Sequence, residues 1–244
     1  MIQSRRRASA SERADPNLTA TCVSRFGRWL VVRFGKPHTV TSWAIVGGGT
    51  GVANTVAWCQ VDERELRPPV DAARWLRARM REDGLQGAVG LLTSRCLDAW
   101  VESMQSTGGT LAHCVATVGL GNALRIGDPP GPHARIGTIN ALVRVDMALT
   151  ESGQLEALAL AAEAKTAAVL EAGLLSRRSG LRATGTGTDC LVVAAPIDPT
   201  ALGRLPRKTT YVGKHTGAGA AIGAAVFAAV REGVSQWMRD RGLE

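Results

Sequence analysis

"RIGTINALVRVDMAL" (135–149) runs almost directly into "SGQLEALALAAEAKTAAVLEAG" (152–173), and this junction decides the fold class. The first stretch is rich in Ile, Val and Leu and reads as a strand. The second is built of Ala, Leu and Glu, with glycine near each end, and reads as a strong helix. "GLRATGTGTDCLVVAAP" (180–196) then feeds a polar Gly/Thr block into an apolar strand, and a Gly-rich helix spans 217–238. The first half has the same grammar. "HTVTSWAIVGGG" (38–49) and "NTVAWCQVD" (54–62) read as strands around a glycine turn. "PPVDAARWLRARMRE" (68–82) reads as a helix opened by prolines, and "AVGLLTS" (88–94) as a strand. "GLQGAVGLLTSRCL" (84–97) can even be laid on "GLRATGTGTDCL" (180–191) with a two-residue gap. The pattern predicts an α+β layered fold with a mixed or largely antiparallel sheet and helices packed on it. It also predicts an internal duplication of a strand–strand–helix–strand unit.

The chain has 244 residues, of which 45% are hydrophobic and 20% charged, enough for a globular domain with a sizeable core. Residues 1–20 are polar and charged with no apolar core, so they read as a disordered tail rather than a secretory signal, leaving 21–244 as one domain. The longest small-apolar run, "GAGAAIGAAVFAAV" (217–230), falls short of the roughly 20 residues a bilayer needs. It reads as a buried helix that could pack within one chain or between two, so a homo-oligomer stays open and a membrane role is not expected. The five cysteines are odd in number and form no C-x-x-C pair, which suits free thiols in a reducing cytoplasm. The four histidines have no metal-ligand spacing, so no metal site is expected. The net charge of +8 alone would suit nucleic acid, but one Tyr and three Phe supply few stacking platforms. Nucleic acid is not expected as a partner.

Phosphate-loop signatures are absent. "GGGTG" lacks the Lys-Ser/Thr of a P-loop, and neither "GLGNAL" nor "GTGTDC" completes G-x-G-x-x-G. Four other elements could carry chemistry. On the helix, Glu156 and Glu163 share one face, while Lys165 points the other way among Leu158, Ala161, Ala162, Ala168 and Val169. Glu163 reads as well on a solvated face. Lys165 either snorkels or has an anionic partner or functional role. "TGTGTD" (184–189) offers the hydroxyls of Thr186 and Thr188, the carboxylate of Asp189, and unhindered backbone at Gly185 and Gly187. Such a loop can polarise a carbonyl or bind an oxyanion, or it can be a polar turn closed by its own side chains. In "YVGKHTGAGAAIG" (211–223), Lys214 and His215 precede Thr216, a candidate N-cap, and His215 suits a surface role equally. In "GLGNALRIGDPPG" (119–131), Asn122, Arg125 and Asp128 sit among four glycines, in a binding loop or a plain one.

Taken in order, "TSWAIVGGG", "GNALRIGDP", "GTINALV", "AEAKTAAVLEAG", "ATGTGTDCLVVAAP" and "YVGKHTGAGAAIGAAV" resemble the adenosylcobinamide amidohydrolases of the CbiZ type, over roughly residues 38–231. The resemblance implies a corrinoid-salvage enzyme. It would cut the amide joining the aminopropanol arm to the corrin ring, giving adenosylcobyric acid and 1-amino-2-propanol. The cobalt corrinoid is then substrate, and no further cofactor is implied. A non-catalytic corrinoid carrier of the same fold is the rival reading. Amide hydrolysis needs a nucleophile, an oxyanion site and a proton for the leaving amine. On the residues alone, Asp189 would position or deprotonate water or the hydroxyl of Thr186 or Thr188. Backbone N–H groups of 185–188 would face the oxyanion, and His215 would protonate the amine. Lys165 or Lys214 would hold a nearby negative charge. Thr138 and Asn140 of "GTINALV" join Glu163, Thr216, Asn122, Arg125 and Asp128 as candidate substrate contacts. "IGTIN" also places Gly137 before Thr138, a pairing found where self-cleavage frees a threonine nucleophile.

Overall fold

The computed structural model describes residues 21–62, 64–131, 136–197 and 208–243, so the tail expected at 1–20 lies outside the described residues. Strand β1 (Cys22–Phe26) turns back onto β2 (Trp29–Ser42), which pairs antiparallel with β3 (Gly49–Gln60). The register of β2 shifts between Arg33 and His38. This break lets its first half carry β1 on one edge and its second half carry a different strand there. Helix α1 (Ala72–Glu82) follows, and β4 (Val89–Thr93) then runs parallel to β3. Prolines 68 and 69 precede α1 rather than opening it. Asp71 is the N-cap, its carboxylate accepting from Arg74 N at 3.0 Å.

β5 (Val101–Thr107) and β6 (Thr110–Val118) form a hairpin closed by Gly108 and Gly109, with φ of 56° and 73°. Two consecutive positive φ angles are what a tight right-twisted hairpin turn demands. A two-residue strand β7 (Ala123–Leu124) leads to β8 (Ile139–Val145), then helix α2 (Glu151–Glu171). β9 (Gly185–Thr186) pairs with β7, β10 (Cys190–Pro196) pairs parallel with β8, and α3 (Gly217–Arg239) ends the fold. The large sheet has the order β4-β3-β2-β10-β8-β6-β5, with β1 beside β2. It is mixed and mostly antiparallel, and the fold is α+β.

The duplication is visible in the topology. β2, β3, α1 and β4 form one unit; β6, β8, α2 and β10 form the other. In each, two antiparallel strands are followed by a helix and a strand parallel to the second. The text match between 84–97 and 180–191 does not follow this equivalence. β4 ends at Thr93, before the Cys96-Leu97 pair, whereas β10 begins at Cys190.

Both faces of the sheet are buried. Along β10, Leu191, Val193 and Ala195 face the helices, while Cys190, Val192 and Ala194 face a second core. That second core gathers Trp58 and Leu91 with Leu142 and Val115, from strands far apart in the sheet order. The sheet therefore curls, and its concave face packs on itself. Helix α3 is long and apolar enough to cross a bilayer by length and composition, yet it buries Ile222, Val226, Val230 and Trp237 in the core it shares with β6, β8 and α2.

Candidate active site

Asp189 closes the polar loop just before β10, and its carboxylate is saturated. Oδ2 accepts from Lys165 Nζ at 2.8 Å and from Thr186 N at 3.0 Å. Oδ1 accepts from Thr186 Oγ1 at 2.5 Å and from Ile139 N at 3.1 Å. A carboxylate offers about four lone-pair positions, and four donors fill them. Lys165 is the oddly placed lysine of α2; its ammonium also donates to Thr184 O at 3.1 Å. Its side chain is 11% exposed and that of Asp189 10%. Burial of the lysine on an apolar face is thus matched by a buried anion and a carbonyl. Gly185 is required here: a Cβ on it would lie 2.5 Å from Lys165 Nζ and fall onto the Asp189 carboxylate.

The same loop is sewn to the segment entering β8. Thr138 Oγ1 donates to Thr188 O at 2.8 Å, and Thr188 Oγ1 donates to Gly137 O at 3.0 Å. Asn140, buried on β8, donates through Nδ2 to Leu92 O at 2.7 Å, tying the end of β4 across the curl. Trp43 donates from Nε1 to Asp189 O at 2.6 Å, so its half-exposed ring is held beside the loop.

These elements enclose a cleft of about 600 Å³. One side is apolar, from Trp43, Ile45, Leu66, Leu91, Leu92 and Ile136. The other presents Asn122, Thr138, Asn140, Gly187, Thr188 and Asp189. An apolar wall facing a few convergent polar groups is the form of a small-molecule site. Asn122 is 7% exposed, and its Oδ1 has no hydrogen-bond partner among the described residues. The cleft's titratable side chains are Asp62, Asp189 and Cys190. Burial pushes the Cys190 thiol up to about 12, with the Asp189 charge adding to it, so it is no thiolate nucleophile at neutral pH. Asp62 is exposed at the rim, accepting from Arg64 N at 2.9 Å. Among the described residues no His, Cys, Asp and Glu cluster could hold a metal ion.

Not every candidate gathers here. Lys214 pairs with Glu163, and Thr216 caps α3 by accepting from Gly219 N at 2.9 Å. His215 is exposed beside them. The start of α3 sits at the far end of the strands. Gly217 packs against Gly108 in the β5–β6 turn, whereas Asp189 and Thr138 lie where β8 begins. The separation is roughly 20 Å, the rise of a strand of this length. His215 is therefore not beside Asp189, because α3 starts at the opposite edge of the layer. Arg125 and Asp128 also stay out of the cleft lining and brace their loop. Arg125 N donates to Asp128 Oδ2 at 2.8 Å, and Arg125 NH1 to Arg182 O at 2.9 Å. The hydroxyl of Ser176, above all, holds the Asp128 carboxyl below its usual range. Within the loop, Thr186 N and Thr188 N are spent on Asp189 and on Thr186 Oγ1 (3.4 Å). The apolar wall went unread in the sequence; the tryptophan in "TSWAIVGGG" was its one visible signal.

No curated protein matches the chain. Among solved structures it is similar to the PH0078 protein of Pyrococcus horikoshii OT3, with 11% identity and a TM-score of 0.45, covering 88% of this chain and 83% of that one. It is also similar to an L-aminopeptidase D-Ala-esterase/amidase of Ochrobactrum anthropi, described as a variant of the Ntn hydrolase fold. There the identity is 13% and the TM-score 0.41, covering 90% of this chain and 82% of the other. The family model for adenosylcobinamide amidohydrolase, CbiZ, matches residues 17–242, nearly the whole length, and the chain belongs to that family.

Proposed function

We infer that the protein hydrolyses the amide between the corrin ring and the aminopropanol arm of adenosylcobinamide, releasing adenosylcobyric acid and 1-amino-2-propanol. One observation supports this most. Four of the six family-like segments line one cleft, through Trp43, Asn122, Thr138 with Asn140, and the loop ending in Asp189, and a fifth braces that loop through Lys165. The apolar wall would take corrin or nucleoside surface, and the hydroxyls and amides would meet the linear amide. Asp189 acts here as an organiser. With four donors on its oxygens it has no lone pair for a water, and it fixes the entrance of β8 against the loop.

Incubation with adenosylcobinamide, followed by chromatography of the corrinoids, tests the reading. Appearance of cobyric acid, unchanged by chelator, supports it. Tight binding of the corrinoid with no product would favour a carrier instead.

A further inference from the structure

Among the described residues, the cleft places hydroxyls at its centre and its one open carboxylate, Asp62, at the rim. Asp189 is saturated, Cys190 stays protonated, and Asp62 is solvated at the rim, with Oδ1 accepting from Arg64 N. A threonine hydroxyl is a poor nucleophile without an adjacent base. Thr138, 6% exposed and in the cleft lining, is preceded by Gly137, whose carbonyl accepts the Thr188 hydroxyl at 3.0 Å. That bond polarises the carbonyl toward attack. Against Gly137 rests Asn122, whose Oδ1 has no partner among the described residues: a Cβ on residue 137 would lie 2.6 Å from Asn122 Oδ1 and 2.7 Å from Gly121 N. A buried acceptor with no partner, beside this peptide bond, is placed to accept an N–H that cleavage of the bond sets free.

We propose that the protein cuts its own Gly137–Thr138 bond and that Thr138, thus made N-terminal, is the nucleophile of the cleft, with Asn122 Oδ1 accepting from the freed α-amine and orienting it. The role in turnover rests on the amide-hydrolysis reading above; the self-cleavage does not. In cleavage, Thr138 Oγ1 adds to the Gly137 carbonyl carbon and its proton passes to the departing nitrogen. The C–N bond breaks, leaving a Gly137–Thr138 ester and a free α-amine. Water hydrolyses the ester, giving the Gly137 carboxylate and restoring the Thr138 hydroxyl. In turnover, that α-amine, with an ordinary pKa of about 7.7–8.0, takes the hydroxyl proton as Oγ1 attacks the substrate carbonyl. The leaving amine receives the proton, and water then frees the acid from the acyl ester.

Denaturing mass spectrometry of the freshly purified full chain reads the first step. The expected result is two polypeptides, residues 1–137 and 138–244, whose masses sum to 25.6 kDa plus one water. Thr138→Ala is expected to stay uncut and inactive, and Thr138→Ser to be cut and active. Asn122→Ala, where folded and cut, is expected to lower kcat by about tenfold or more as the α-amine loses its orienting acceptor, with KM changed several-fold at most. A wild type that turns over adenosylcobinamide as a single uncut chain overturns the proposal, as does an uncut, active Thr138→Ser. A wild type that is cut yet inert toward adenosylcobinamide supports the cleavage and instead defeats the substrate assignment.

Discussion

Lys165 Nζ stands 2.8 Å from Asp189 Oδ2, an ion pair that joins the middle of α2 to the loop opening β10. Removing one partner leaves the other charge buried, a loss of about 3–5 kcal/mol. Lys165→Met should lower stability by that order in urea unfolding. Lys165→Met with Asp189→Asn should lose clearly less than the two single losses summed, with a coupling above about 1 kcal/mol. Additive losses would show that the pair is not a unit.

Gly185 sets how closely this pair approaches the loop. Gly185→Ala should act on the same unit, because its methyl falls on both charged groups. Activity and thermal midpoint should both fall; an unchanged midpoint would mean that the loop has room the geometry denies.

At the other end of the strands, His215→Ala should leave kcat within about twofold of wild type. Thr216→Ala should cost about 1 kcal/mol through loss of the α3 cap. A large loss of kcat in a folded His215→Ala variant would place the histidine in the chemistry.

His38 links pH to stability. Burial lowers it from 6.5 to about 4, and the Arg144 guanidinium adds to the effect. Arg144 Nε donates to His38 Nε2 at 2.8 Å, so the folded imidazole accepts there and is neutral. The unfolded chain protonates near 6.5 and the folded one only near 4, so the unfolded state binds more protons in between. The contribution is complete above about pH 6.5 and is lost as pH falls toward 4, by at most about 3 kcal/mol. Urea midpoints across that range should show the fall in wild type and a shallower one in His38→Gln. Equal slopes would assign the dependence to other groups.

Much of the fold was legible because hydrophobic period and composition agree locally. The strand at 139–145 and the helix at 151–171 follow from residue type alone. β2 was read short, since Trp29–Phe34 precedes a register break that no period can carry across. For the site, the clustering of Lys165 with Asp189 could be posed from an apolar helix face but not paired, since the partner lies 24 residues on. His215 looked adjacent because sequence order says nothing about which end of a layer a helix starts from. The apolar wall stayed hidden because Ile45, Leu66 and Ile136 come from separate loops with no shared spacing.

The most direct measurement is turnover of adenosylcobinamide in water enriched in oxygen-18, with products weighed by mass spectrometry. Amide hydrolysis in this cleft predicts free 1-amino-2-propanol and adenosylcobyric acid carrying oxygen-18 in its new carboxyl group. Intact adenosylcobinamide after prolonged incubation with folded protein would contradict it.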